Sequence, residues 1–281
     1  MNNAASRGAR QCQVIVNADD FGLHPAVNQA VEKAFSEGVL TSTSLMVGAP
    51  AAADAIAIGH RLPELAVGLH VVLVDGASIL PKERIPTLVD DEGRFRNQMV
   101  KDGVRFFVLP HVRQQLKAEI EAQFDAFRAS GLKLDHVNTH KHFHLHPTLF
   151  SLILEAGKRH GMKAMRLPRT RPTPIGLRPW VSLMASRLDR AGIAHNDDMV
   201  GLAESGSFDE SAVLKAIENL RPGVTEMYFH PATLSGSAIS ASMPNYRHGA
   251  ELAALLSERV RDALERLGGR RITYGSLAAT P

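Results

Sequence analysis

The chain has a single cysteine, Cys12, among 281 residues. An intramolecular disulfide and a metal site built on thiolates are both excluded, and the pattern suits a reducing compartment. No run of about twenty apolar residues appears, so no membrane-spanning helix is expected. The net charge is only +3, too small for general nucleic-acid binding. Internal repeats and low-complexity tracts are missing as well. The first eleven residues are polar and basic with no apolar centre, so residues 1–12 read as a short disordered leader rather than a signal peptide. What remains, 44% hydrophobic and 22% charged, has the composition of an ordinary globular protein, long enough for one α/β barrel or two small domains.

Histidine is abundant, and it is concentrated. Five of the thirteen histidines fall in the eleven residues His136–His146, directly after a short apolar stretch that reads as a strand. Neutral imidazoles ligate divalent ions and titrate near neutral pH, so the cluster points to a metal site or to proton transfer, against the alternative of a solvated histidine-rich loop. Near the N-terminus, the β-branched run Val14-Ile15-Val16 leads into Asn17-Ala18-Asp19-Asp20-Phe21-Gly22. Two desolvated neighbouring carboxylates repel unless a cation neutralises one and the other works as a base. The alternative is an Asx turn in which Asp20 caps the helix beginning near Pro25. His70 lies on the apolar stretch Ala66–Leu73, where a lone histidine also fits as a satisfied core residue, and His230 ends the stretch Met227-Tyr228-Phe229. Four strands that each deliver Asp or His to their C-terminal ends form the pattern of a barrel-type active site.

Apolar alternation and turn residues predict strands at Gln13–Ala18, Ser42–Val47, Ala66–Leu73, Leu134–Asn138, Ala164–Leu167, Met199–Leu202, Glu226–Phe229 and Arg271–Tyr274. Helices are predicted at Pro25–Ser36, Ala51–His60, Val112–Ser130, Pro147–His160, Arg178–Ala191, Glu210–Leu220 and Tyr246–Leu267. Strand-then-helix order argues for an α/β fold with a parallel sheet, a distorted (β/α) TIM-like barrel in one domain over 13–281. The stretch Asp75–Pro110, with Pro81, Pro86, Gly93 and Pro110 and little periodicity, reads as a loop insertion over the C-terminal face of the strands. A second irregular stretch, Arg166–Pro179, carries Arg166, Arg169, Arg171 and Arg178, which suit either an anionic ligand or solvent. In the helix after it, Trp180, Leu183, Met184 and Leu188 fall on one face, a stripe that serves either the core or an apolar rim.

With Asn17-Ala18-Asp19-Asp20-Phe21-Gly22, Gly68-Leu69-His70, Thr139-His140-Lys141-His142-Phe143-His144 and Phe229-His230-Pro231 in this order, the chain resembles the YdjC-like carbohydrate deacetylases from about Val14 to the C-terminus. Overall likeness, including Arg178-Pro179-Trp180, is greatest to the hopanoid-biosynthesis-associated branch, HpnK. The resemblance implies a distorted barrel that removes acetate from an N-acetylglucosamine unit, in this branch one carried on a hopanoid lipid, using one divalent metal ion. Magnesium or zinc is expected first, with manganese and cobalt also compatible. Asp20, His70 and His140 match the family's metal ligands, Asp19 its general base, and His230 the histidine that protonates the leaving amine. Lys141 stands where some members have histidine, which leaves His142 and His144 open as alternative or supporting ligands. Arg166 and Trp180 are expected at the substrate. A cytoplasmic protein that touches the inner face of the membrane is expected, and a homodimer is left open. The competing readings are a non-catalytic metal- or sugar-binding barrel and a metal-dependent phosphoesterase.

Overall fold

The computed structural model describes residues 12–233, 238–266 and 270–279. All but the last residue of the expected leader lies outside them, and Cys12 itself opens β1 (Cys12–Phe21). From Val14 onward the strand is buried on both faces, as a central parallel strand is. β2 (Ser42–Leu45), β3 (Ala66–Val71), β4 (Val137–Thr139), β5 (Asp198–Val200), β6 (Gly223–Phe229) and β7 (Arg270–Arg271) complete a seven-stranded sheet. Its order is β4-β3-β2-β1-β6-β5, with β7 added to β1, and every pairing is parallel. Residues 164–167 run between the two outermost strands of this order. They bridge Val137 to Met165 and Ala164 to Ala194, so the sheet curls into a distorted TIM-like barrel. The expected strand here is reduced to bridges, because Met165 N–H goes to Ala194 on one side and Arg166 N–H to Val137 on the other.

The two faces of the curled sheet differ. On the outer face, Val14, Val16, Ala18, Val67, Leu69, Met227 and Phe229 join the main core beneath the helices. On the inner face, Ile15, Ala164, Val224, Ile272 and Tyr274 form a small apolar floor. Above that floor the same face turns polar, through Asn17 and Asp19, Ser42 and Ser44, His70, His136 and Asn138, Arg166 and Glu226. Cross-strand registers such as Asn17 with Ser42, His70 with Asn138 and Asn17 with Tyr228 set these side chains side by side. Gly68 is what makes room for one of them. A Cβ there would come within 2.5 Å of the His136 ring.

The surrounding helices are α1 (Pro25–Glu37), α2 (Ala52–Arg61), α3 (Met99–Val108), α4 (Pro110–Ala129), α5 (Pro147–Arg159), α6 (Arg178–Arg190), α7 (Glu210–Glu218), α8 (His248–Leu256), α9 (Glu258–Arg266) and α10 (Tyr274–Ala278). Three differ from expectation. The insertion at 75–110 contains α3, whose Phe106 is buried and packs on Phe143. The helix expected over Tyr246–Leu267 breaks at Ser257, which is extended, so α8 packs on α1 and α7 while α9 turns back onto α7. In α6 the buried stripe is Val181, Met184, Ala185 and Leu188, and Leu183 is 46% exposed. The i, i+3, i+4, i+7 spacing centres on Val181 rather than on Trp180.

Candidate active site

β1, β3, β4 and β6 all end on the same side of the barrel, and each supplies a side chain there. At the end of β1, Asp20 sits in the left-handed region (φ 64), a conformation that Asp tolerates better than most residues. Its Oδ1 lies 3.0 Å from His140 Nδ1 and 3.3 Å from His70 Nε2. The three groups are buried, and one ligand atom from each lies within 4.8 Å of the others. His70 Nδ1 is 2.7 Å from Asn138 Oδ1, which can only accept, so Nδ1 carries a proton and Nε2 is the ring nitrogen turned toward Asp20. Asp20 Oδ2 and His70 Nε2 have no hydrogen-bond partner. Buried polar atoms without a partner are expensive, and a cation held at this point would satisfy both. Burial disfavours a charged imidazole, yet the Asp20 carboxylate raises His140 to about 9. Asp20 is itself held well below the usual carboxylate range, because His140 outweighs its burial. One carboxylate and two imidazoles therefore fit a divalent ion and leave coordination positions open for a reactant.

Asp19, the neighbouring residue, points into the barrel. Its Oδ1 accepts from Asn17 Nδ2 (2.9 Å), Asn138 Nδ2 (3.1 Å) and Arg166 Nη2 (2.8 Å), and Ser44 Oγ lies 3.3 Å away. Its Oδ2 accepts from Arg166 Nη1 at 2.7 Å. Burial pushes the Asp19 carboxyl up, but the Arg166 guanidinium more than reverses this and holds it well below the ordinary value. Arg166 is 0% exposed, and its Nε and Nη2 also donate to Glu226 at 2.8 and 2.6 Å. Glu226 in turn accepts from Tyr274 Oη at 2.7 Å. Arg166, expected on a loop that reads the substrate, is instead enclosed between two carboxylates and cannot reach one. It fixes the direction of the Asp19 carboxylate instead.

The clustered histidines take different tasks. His136 is 0% exposed and spans Asp135 Oδ2 (3.0 Å) and Ser44 Oγ (3.1 Å), so it supports the polar layer from below. Lys141 and His142 are both left-handed, at φ 53 and 51, and this turn separates His140 from the rest. Lys141 is drawn to Asp75 (2.8 Å) and Asn97 (3.1 Å) in the insertion. His144 Nδ1 lies 2.6 Å from Thr139 Oγ1, and burial together with the Arg166 charge pushes the ring down to about 3. His142 is driven down by the same two causes, and its ring stands edge-on to Tyr228. Among the described residues, the group of three with metal-ligand spacing is Asp20, His70 and His140, without His142 or His144. His146 bonds the Gly103 carbonyl at 2.9 Å and so secures α3.

His230 follows the last residue of β6. Its ring lies between Tyr228 and Tyr246, with centroids 5.3 and 5.2 Å away, and its buried Nδ1 has no hydrogen-bond partner. Burial lowers its pKa, although Asp20 and Asp19 pull the other way. Trp180 packs edge-on against Phe150 and donates Nε1–H to Leu145 O at 2.8 Å, so it braces the end of the histidine loop. Sequence reasoning passes over Asn17, Ser44, Asn138 and Glu226. The available signal is polar residues recurring every second position inside otherwise apolar strands, as in Asn17-x-Asp19, Ser42-x-Ser44 and His136-x-Asn138.

The family model described as YdjC-like protein matches residues 13–266. A carbohydrate deacetylase of Geobacillus stearothermophilus is 30% identical over 262 residues, which cover 92% of this chain and 96% of that one. A carbohydrate deacetylase of Brevibacillus brevis is 27% identical over 266 residues, covering 94% and 99%. Among solved structures, an Enterococcus faecalis protein provisionally described as a cellobiose-phosphate cleavage protein superposes with a TM-score of 0.78 at 26% identity, covering 95% of this chain and 99% of its own.

Proposed function

The chain belongs to the YdjC-like family, and from that premise we propose that it is a metal-dependent carbohydrate N-deacetylase that releases acetate from an N-acetylglucosamine unit. The observation that carries this reading is the buried Asp20–His70–His140 group, with its unpartnered acceptors, beside an Asp19 carboxylate fixed by Arg166. The relatives named carbohydrate deacetylases support the substrate class. Asp20, His70 and His140 would hold the metal, and of the two ions expected first, two imidazole nitrogens beside one carboxylate favour zinc over magnesium. A divalent ion there supplies what amide hydrolysis lacks, a polarised carbonyl and an acidified water.

The chain's own groups provide the proton transfers. Asp19 is the base. Its Oδ1 is saturated by donors from Asn17, Asn138 and Arg166, so Oδ2, with Arg166 alone, is the oxygen with a lone pair to spare. Arg166 keeps that carboxylate ionised and aimed. His230 presents its free Nδ1 and returns a proton to the leaving nitrogen, without which an amine is a poor leaving group. Asn138 links the two halves of the site, since its Oδ1 fixes the His70 tautomer while its Nδ2 holds Asp19.

The finer reading places the sugar on a lipid, in the hopanoid branch of the family. Apolar side chains remain exposed on both flanks of the histidine loop. On one side are Val104, Phe107 and Val108 of α3, with the Phe107 ring 6.5 Å from His146; on the other are Ile175, Leu177 and Leu183 around the start of α6. Such a rim suits an apolar aglycone or a membrane surface. No helix among the described residues is long and apolar enough to cross a membrane. The test is acetate release from an N-acetylglucosaminyl lipid, from the free N-acetylated sugar and, side by side, phosphate release from a phosphate ester. Acetate should appear and phosphate should not, with the lipid-linked substrate preferred, and Ile175→Ser should erase that preference while sparing the free sugar.

A further inference from the structure

His230 lies one residue beyond β6, whose pairing with β1 ends at Phe229 opposite Ala18. Its backbone is therefore outside the sheet ladder, and a residue in that position keeps its direction only if other groups take up its N–H and C=O. Two side chains of α8 do so. Glu251 Oε2 accepts from His230 N–H at 2.5 Å, and His248 Nδ1 lies 2.6 Å from the His230 carbonyl oxygen, to which it donates. One helix thus grips both sides of a single residue.

Glu251 is 0% exposed and takes part in none of the ion pairs among the described residues. A buried carboxylate without a cation is costly, and burial, set against its backbone donors, pushes Glu251 up to about 7. An apolar or amide side chain would fill the space at lower cost, so a carboxylate here asks for a task. Its other oxygen, Oε1, receives Phe208 N–H at 3.2 Å. That bond fixes the turn carrying Ser205, whose Oγ accepts from Tyr228 Oη at 3.0 Å and lies 3.4 Å from Tyr246 Oη. Tyr228 and Tyr246 are the rings on either side of His230. One carboxylate therefore anchors both the backbone of His230 and the walls of its slot.

We propose that Glu251 and His248 are positioning residues that hold the His230 imidazole in line with the leaving nitrogen of the substrate. The inference rests on the reading of His230 as the proton donor to that nitrogen. It has a consequence that a purely structural role lacks: loss of the clamp harms substrates whose leaving group needs a proton and spares those whose leaving group does not.

The experiment compares an N-acetylated sugar with 4-nitrophenyl acetate, whose phenolate departs unprotonated, for Glu251→Gln, His248→Ala and His230→Ala, with metal content and melting temperature measured alongside. Each clamp variant should lower kcat for the amide by roughly 10- to 100-fold at nearly constant KM and change the aryl ester by less than about threefold. His230→Ala should show the same selectivity more strongly. If His230→Ala is selective and the two clamp variants are not, the positioning role is overturned while the donor role stands. If His230→Ala itself slows both substrates equally, the donor role fails and the clamp falls with it. Should Glu251→Gln not fold, His248→Ala decides alone, since it removes only the donor to the carbonyl.

Discussion

Asp19 and Asp20 are adjacent in sequence, yet the structure gives them opposite surroundings: Asp20 faces two imidazoles and Asp19 faces a guanidinium. Asp19→Asn should accordingly retain metal while losing kcat by about two orders of magnitude or more, the scale of a general base, as elemental analysis and acetate release would show. Arg166→Met leaves Asp19 and Glu226 as buried, uncompensated carboxylates, and urea unfolding should register a loss of about 3–5 kcal/mol. Arg171 pairs with Asp198 at 3.1 Å but is 41% exposed, so Arg171→Ala should cost no more than about 1 kcal/mol. A loss for Arg166→Met as small as that for Arg171→Ala would contradict the enclosed triad. The two arginines look alike in sequence, five residues apart in one basic stretch, because what separates them is a contact with β1 and β6 across the barrel. Asp19, Asp20, His70, His140 and His230 stand out in the sequence because each is a chemically distinctive residue at the end of an apolar run. Asn138 and Ser44 do not, since their importance lies in what they touch.

The elements themselves were mostly legible, for local reasons. α1 begins at Pro25, α4 is followed by Gly131 and α5 by Gly161, and the apolar spacing between these signals is helical. The break between α8 and α9 was not, because Ser257 is neither Gly nor Pro and the helical pattern continues through it. The α6 stripe also needed the structure, which packs Trp180 on Phe150 and leaves Leu183 facing out. Trp180→Ser should therefore lower stability by about 3 kcal/mol or more, whereas Leu183→Ser should stay within about 0.5 kcal/mol, a contrast that paired melting curves resolve. Equally large losses would place both residues in the core, and equally small ones would place both outside it. In β3, Gly68→Ala should destabilise by about 1–3 kcal/mol, since the new methyl meets the His136 ring in a site with no free space. A crystal structure of that variant should show His136 displaced from Ser44.

For the molecule as a whole, the curled parallel sheet sets an apolar floor beneath a polar layer, and that layering confines charge to one end of the barrel. Stability should follow pH accordingly. Glu251 has its pKa raised from 4.5 to about 7 by burial, with the Asp19 charge adding to it. Between these values the native protein keeps a proton that the unfolded chain has lost. This contribution to stability is complete below pH 4.5 and disappears as pH rises through about 7. Relative to Glu251→Gln, the wild-type free energy of unfolding should thus fall by up to about 3 kcal/mol between pH 5 and pH 8, and a rise would show that the carboxylate ionises freely in the folded state. The central claim concerns the other end of the same polar layer, where Asp20, His70 and His140 converge. It is tested most directly by acetate release from an N-acetylglucosaminyl substrate before chelation, after chelation, and after metal is returned to the same sample. The account predicts that activity disappears with the metal and returns at one equivalent of divalent ion per chain; undiminished acetate release from protein shown to be metal-free would contradict it.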